Sequence, residues 1–295
     1  MTQSRTEASR TVLEAAADEA DLPAHGAEVI RLSENELWRL PGGIVARITR
    51  AGQQAAARRE IAITRWLAEH LVPAVVPIAM EQPVFVGERA VTFWQELPPH
   101  RQGCTADLAP LLRGLHSLPV PAFEIGELDP FVRIETRLAR ARVLSDDDRA
   151  WLLARLAELR IAWADLPAGL PRCIVHGDAW RGNVAVIADG SRILMDFERA
   201  AVGQPEWDLT STASALDTFG SISRDEYVAF CRAYGHDVRV WDGYPVLLGI
   251  RELRQVSIAV LLSEGNPVIA EQARFRIACV RGQRGPRPWE WEAVP

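Results

Sequence analysis

A chain of 295 residues, 48% of them hydrophobic, has ample length and apolar content to bury a core of its own. Its formal net charge of −6 argues against nucleic-acid binding; no run of about 18 uncharged apolar residues offers a membrane span, and the polar first ten residues do not read as a secretory signal. Cys104, Cys173, Cys231 and Cys279 are scattered without metal-ligand pairing, as reduced and buried cytosolic thiols are, and every basic residue is arginine, since the chain has no lysine.

In chain order, three short strands come first, at 28–32, 37–40 and 44–48. The polar turn Ser33-Glu34-Asn35-Glu36 joins the first two, and Pro41-Gly42-Gly43 the last two. A helix over about 54–70 repeats Glu60, Ile63, Thr64 and Leu67 on one face, which points Glu60 inward. Strands near 75–79 and 83–86 precede a longer one at 89–97, and Pro98-Pro99 ends it. Leu108, Leu111, Leu112, Leu115 and Leu118 then form the core-facing stripe of a helix that stops before Pro119, with His116 in a packing or capping role. Two helical segments lie between residues 129 and 170. One of them, 149–163, is opened by Asp146-Asp147-Asp148, negative charge at the positive end of the helix dipole. Further helices are read at 209–216, 224–234 and 249–262. The basic tail 281–288 ends in Trp289 and Trp291, and packing back through these tryptophans is expected rather than stacking on RNA.

The chemistry concentrates in His176-Gly177-Asp178-Ala179-Trp180-Arg181-Gly182-Asn183 and, after one hairpin, Asp196-Phe197-Glu198. The β-branched run 184–187 is separated from 192–195 by Asp189-Gly190, a two-residue hairpin signal because a type I′ turn needs positive φ at both positions. With that turn Ala188 pairs with Ser191. Counting outward then sets Asn183 directly opposite Asp196, where cross-strand side chains are about 5 Å apart. An amide oxygen and a carboxylate are hard ligands suited to Mg²⁺ carrying nucleotide phosphates. Asp178, five residues before Asn183, faces the same place from the preceding loop without needing to bind the metal. There it suits the carboxylate that orients an attacking hydroxyl and accepts its proton.

Taken together, His176, Gly177, Asp178 and Asn183, then Asp196, resemble the signature of the aminoglycoside phosphotransferase and choline kinase-like family, which shares the protein kinase fold. The spacing of Asp178 and Asn183 is that of the kinase catalytic loop. The resemblance implies an α+β, bilobal protein kinase-like fold. A small antiparallel-sheet lobe over 1–96 would bind nucleotide, and a larger, mainly helical lobe over 97–295 would carry catalysis and the acceptor. It also implies a small-molecule kinase, since no Ala-Pro-Glu segment follows Asp196. Instead Gly203-Gln204-Pro205-Glu206-Trp207-Asp208-Leu209 is similar to the family's segment after the metal-binding Asp, with Asp208 bracing the catalytic loop and His176 supporting it.

By the same resemblance, Arg47 stands where the family usually carries the lysine that reaches the α- and β-phosphates. Arginine keeps the charge but brings a bulkier planar fork. Glu60 becomes its expected ion-pair partner. Ser33 and Asn35 occupy the place of the phosphate-covering loop without its Gly-rich pattern, and Gln95, Glu96 and Leu97 enter the hinge where backbone groups meet the base. Acceptor contacts are expected from Asp217, Arg251 and Arg254 on the later helices.

The implied activity is transfer of the γ-phosphate of ATP or GTP, with Mg²⁺, to a hydroxyl of an aminoglycoside-like or other hydroxylated antibiotic, nucleoside antibiotics included, giving resistance or self-protection. The partners are then a nucleotide and a small hydroxylated acceptor in the cytoplasm, with no nucleic acid or membrane. A metabolic kinase of the choline, sugar or homoserine type is the enzymatic alternative. A non-catalytic kinase-like binding module is the other, against which stands the presence of Asp178, Asn183 and Asp196 together. Abundant Ala and Arg without lysine fit a GC-rich bacterial genome.

Overall fold

The computed structural model describes residues 2–33, 35–292 and 294. In chain order its elements are α1 (Thr2–Glu19), β1 (Glu28–Leu32), β2 (Glu36–Leu40), β3 (Ile44–Ile48), α2 (Gln54–Glu69), β4 (Val84–Val86), β5 (Arg89–Gln95), β6 (His100–Gln102) and α3 (Thr105–His116). There follow α4 (Ile134–Arg140), α5 (Asp146–Ala164), β7 (Cys173–Val175), β8 (Val184–Ile187), β9 (Arg192–Leu194), β10 (Ala201–Gly203), α6 (Glu206–Asp217), α7 (Arg224–Tyr234), α8 (Tyr244–Leu262) and α9 (Pro267–Val280). Two compact units result: Met1–Gly126 with His176–Ala201, and Glu127–Val175 with Val202–Pro295. Compactness thus divides the chain elsewhere than at residue 96. The reason is local: β6 pairs with β8, and Ala74 bridges Leu194, which ties the segment after the sheet and the Asp178 loop into the first unit.

In the first unit an antiparallel sheet runs in the order β1-β2-β3-β5-β4. The two-residue alternation of strands sends Trp38, Leu40, Ala46, Ile48, Val91 and Phe93 to one buried face, which α1 covers with Leu13, Ala16 and Ala17. The Trp38 indole N–H donates to Ser9 Oγ at 2.8 Å and fixes that helix on the sheet. Arg47 has the opposite phase to Ala46 and Ile48, so the pleat presents it on the other face, to α2. Residues 75–79 do not form the expected strand. Pro73 and Pro77 have no N–H to donate, and the segment makes only isolated bridges, such as Pro77 to Trp94.

The β8–β9 hairpin departs from the expected register by one residue. Val184 pairs with Leu194, Ala185 with Ile193 and Val186 with Arg192, while Ile187 N–H donates to Ser191 O at 3.0 Å. The loop is therefore three residues, Ala188-Asp189-Gly190, with Gly190 in the left-handed region at φ 86°. Asp189 Oδ1 accepts the Ser191 N–H at 2.8 Å, which favours this wider loop over the two-residue turn. Asn183 consequently lies opposite Met195, whose N–H donates to its carbonyl at 2.9 Å, and not opposite Asp196.

In the second unit α4, α5, α6, α8 and α9 enclose Leu138, Leu152, Leu156, Trp207, Leu253 and Ile277. Ser145 caps α5 by accepting the Asp148 N–H at 3.1 Å, and the acidic triplet fills its first turn. The tail packs back as its tryptophans imply: Trp291 is buried in this core, and Arg287 grips the buried Glu252 carboxylate at 2.7 and 2.6 Å. No described helix is long and apolar enough to cross a membrane.

Candidate active site

The loop after β7 is held from within the first unit. His176 is fully buried, its Nε2 lies 2.9 Å from Met195 O, and its ring packs on Phe197 with centroids 4.8 Å apart. Gly177 has φ 80°, and a side-chain carbon there would collide with the Arg199 carbonyl, so only glycine passes. Residues Arg181–Asn183 make one 3₁₀ turn, closed by the Asn183 N–H on Trp180 O at 2.9 Å. The Asn183 amide Nδ2 donates back to Asp178 O at 2.9 Å, which leaves its Oδ1 as the acceptor atom. Asp178 is half exposed, with Arg199 Nε 3.9 Å from its Oδ2.

Asp196 leaves the ladder in the left-handed region at φ 65°, an uncommon conformation outside glycine that Asp tolerates better than most. That kink, rather than a cross-strand pair, sets the direction of its carboxylate. Arg47 joins it to a cluster. Arg47 Nη1 donates to both Glu60 oxygens at 2.7 and 2.8 Å, while Nη2 reaches Glu198 Oε2 at 2.6 Å and Asp196 Oδ1 at 3.3 Å. Asn35 Nδ2 donates to the same Glu198 oxygen at 3.2 Å, which ties the β1–β2 turn to the cluster. Ser33 closes that turn through its Oγ on Asn35 O at 3.2 Å; Glu34 lies outside the described residues.

The electrostatics follow from burial and sign. Burial works against the charge on Arg47, but Glu60, Asp196 and Glu198 outweigh it and hold the guanidinium above its ordinary value. Burial likewise pushes the Glu60 carboxyl up, with Arg47 opposing. Asp196 is raised by burial and by the like charges of Glu198 and Asp178, again against Arg47. Four carboxylates (Glu60, Asp178, Asp196, Glu198) thus share two guanidinium groups, Arg47 and Arg199. Glu198 and Arg199 carried no role in the sequence reading. No local sequence signal marked them, because the left-handed turn at Asp196, and not an extended alternation, sets where the two side chains lie.

At the hinge, the N–H groups of Gln95 and Glu96 are already donated to Val76 O and Gly43 O at 2.9 and 2.8 Å. The Glu96 carboxylate takes Arg39 at 2.6 Å. Asp208, Asp217, Arg251 and Arg254 belong to the second unit. Asp208 is fully buried on α6. Asp217 accepts the Tyr244 hydroxyl at 2.7 Å and pairs with Arg239 at 3.0 Å. Arg251 and Arg254 both stack over Trp207, and donate to Trp207 O and Pro130 O respectively. Their guanidinium groups fasten the helical core, a packing use that their helical spacing alone did not separate from an acceptor contact.

This combination of sheet, helix-borne Glu60, Asp178 loop and Asp196 turn defines a kinase-like phosphotransferase. Residues 27–248 match the phosphotransferase enzyme family that includes the aminoglycoside phosphotransferases, and the chain belongs to that family. It is a phosphotransferase with an alcohol group as acceptor. No curated protein sequence matches the chain significantly. Among solved structures it is similar to a choline/ethanolamine kinase family protein from Mesorhizobium loti, with TM-score 0.63, 18% identity, and coverage of 95% of this chain and 94% of that one. It is similar also to the choline kinase LicA of Streptococcus pneumoniae, with TM-score 0.63, 15% identity, and coverage of 92% and 99%. The aminoglycoside phosphotransferase APH(3'')-Id of Streptomyces rimosus aligns with TM-score 0.59 and 21% identity over 84% of this chain and 98% of that one. These likenesses establish the shared protein kinase-like fold.

Proposed function

We propose that the protein transfers the γ-phosphate of ATP or GTP to a hydroxyl of a small ring-bearing antibiotic of the aminoglycoside kind, in the cytoplasm, with resistance or self-protection as the consequence. The observation that carries the reading is the excess of carboxylate around Asp196. Four acidic groups share two arginines there, an excess of negative charge that supports binding of a further cation alongside the nucleotide. Asp196 and the Asn183 Oδ1 supply hard oxygen atoms of the kind Mg²⁺ takes, and with nucleotide phosphates completing its shell no protein-only cage is needed. Bound there, Mg²⁺ would neutralise charge on the β- and γ-phosphates.

The remaining work falls to the chain's own residues. Arg47, steadied by Glu60, turns its second nitrogen toward the nucleotide phosphates and exchanges Glu198 for a phosphate oxygen. The peptide after Glu96 and its carbonyl meet the base, because the Gln95 and Glu96 N–H groups are committed. Asp178 accepts the acceptor's hydroxyl proton as the new O–P bond forms and the bond to the β–γ bridging oxygen breaks, releasing the nucleoside diphosphate. Arg199, 3.9 Å from the Asp178 carboxylate, supplies the positive charge proposed to face the transferring group.

The antibiotic acceptor is favoured by relatives solved with ADP and streptomycin, with GDP and kanamycin, and with ADP and spectinomycin. A choline-type acceptor is the second reading, favoured by the choline kinases that align over more than nine-tenths of the chain. Thermal unfolding tests the core of the proposal. ATP or GTP at about a hundredfold excess over Kd should raise Tm by about 5 °C or more only when Mg²⁺ is present, and Asp196→Ala should abolish the shift. No shift with either nucleotide would remove the enzyme's donor. A phosphorylation screen over antibiotics, choline and sugars then identifies the acceptor, and NMR of the product locates the modified hydroxyl.

A further inference from the structure

We propose that the indole of Trp180 is the platform on which the acceptor stacks, and that it selects acceptors presenting the flat face of a hydroxylated ring beside Asp178. The inference rests on the phosphotransfer reading and deepens it. Of the chain's ten tryptophans, Trp180 is the one among the exposed large hydrophobic residues, at 49% exposure; the others are buried or half-buried. It stands two residues beyond Asp178, the proposed base, on the same short loop. Leaving an indole in water forgoes the stabilisation its burial would bring, so its position calls for a use.

The loop's own fold does not supply that use. Trp180 adopts an extended backbone, φ −153° and ψ 161°, and the 3₁₀ turn is closed by its carbonyl rather than its ring. The ring is nevertheless held. A side-chain carbon on Gly182 would collide with Cζ2, Cη2 and Cε2 of the indole, so the six-membered ring lies directly against the Gly182 backbone. Glycine at 182 is what lets the indole lie down on the loop. A ring resting on backbone at one side and open to solvent at the other is a preorganised surface, costing little entropy when a ligand settles on it. The aliphatic C–H face of a sugar or cyclitol suits such a surface, and a protonated amine on that ring adds attraction to the indole. An acyclic alcohol offers no comparable face.

The test uses the full chain labelled with 5-fluorotryptophan, saturated with Mg²⁺ and ADP, with the Trp180 resonance assigned through Trp180→Phe. Kanamycin, streptomycin, spectinomycin and free hexoses are titrated as ring probes, with choline and homoserine as acyclic ones. At least one ring probe should move the Trp180 signal. With that compound as acceptor, Trp180→Ala should raise KM about tenfold or more while Kd for Mg·ADP stays within about twofold, and Trp180→Phe should restore KM to within about threefold. Gly182→Ala, which keeps the indole but lifts it, should raise the acceptor KM in the same direction. The platform is overturned if nucleotide binds but every ring probe leaves Trp180 unmoved, if only acyclic probes bind or are phosphorylated, or if Trp180→Ala leaves the acceptor KM unchanged. Failure of Mg·ADP to bind the wild-type protein would instead overturn the phosphotransfer reading beneath it.

Discussion

Asp178 and Asp196 share a side-chain type and differ in surroundings, and the roles proposed for them rest on that difference. Asp178 is half exposed, with a single guanidinium at 3.9 Å, and is free to meet a hydroxyl. Asp196 is crowded by Glu198 and half-sunk beside Arg47, a position that calls for a cation. Replacing Asp178 with Asn should therefore lower the transfer rate by about 10²–10⁴-fold while the Kd for Mg·ADP changes little; an equal loss in both would move that carboxylate into the nucleotide site. Arg47 tests the other half. Arg47→Ala strands the buried Glu60 without a partner and should destabilise the first unit by about 3–5 kcal/mol, much of it recovered by adding Glu60→Gln, as read by denaturant unfolding. The Asp178–Asn183 spacing and the inward face of α2 that carries Glu60 could be read in the sequence, because each rests on a fixed offset; Arg47 as the partner came from the family resemblance, and the two-residue turn set Asp196 one position out of register. Glu198 and Arg199 could not be read, since their roles depend on the left-handed turn at Asp196.

Among the secondary-structure elements, those that could be read from sequence had a strong local signal: β-branched residues in β1 and β3, and the apolar face of α2. Those that were missed take their identity from what they pack on. The buried side of α1 is mostly alanine, a stripe too weak to announce itself until the sheet lies beneath it. The hairpin register turned on one carboxylate, Asp189, bonding a neighbouring N–H. A comparable device starts α3. Asp107 is buried, and although burial alone would raise its carboxyl, hydrogen bonds from Arg192, from the Cys104 N–H and thiol, and from Arg101 hold it well below the usual carboxylate range. A depressed value means that the folded state binds the proton less readily than the unfolded one. The stabilisation is thus present above about pH 4 and lost as pH falls further. Asp107→Asn should cost about 2 kcal/mol at neutral pH, and the gap to wild type should close on acidification below about pH 4 in urea unfolding followed by circular dichroism.

The two units draw on different sources of order. In the first, a sheet with helices against it buries an ion-paired site. In the second, helices close around tryptophan, and Trp291 belongs to that core with Trp289 and Val294 packed against it. Trp291 is 3% exposed, Arg276 is wholly buried against its ring, and Arg287 with Thr218 satisfies Glu252, itself 4% exposed. These contacts are unequal. Arg287 is partly open to solvent and Thr218 remains on Glu252 without it, so Arg287→Ala should cost about 1–3 kcal/mol. Trp291→Ala empties a volume that helices have closed around and should cost about 3–5 kcal/mol. A chain ending at Gly285 loses both at once, along with Trp289 and its hydrogen bond to Thr218 O at 2.9 Å. That sum is comparable with the 5–15 kcal/mol by which a domain of ordinary stability holds together. The shortened chain should accordingly keep its far-ultraviolet helical signal while losing near-ultraviolet tryptophan asymmetry and binding a hydrophobic dye, the marks of a compact state without fixed packing. Wild-type near-ultraviolet dichroism and cooperative unfolding in that chain would show that the tail only decorates the helical unit.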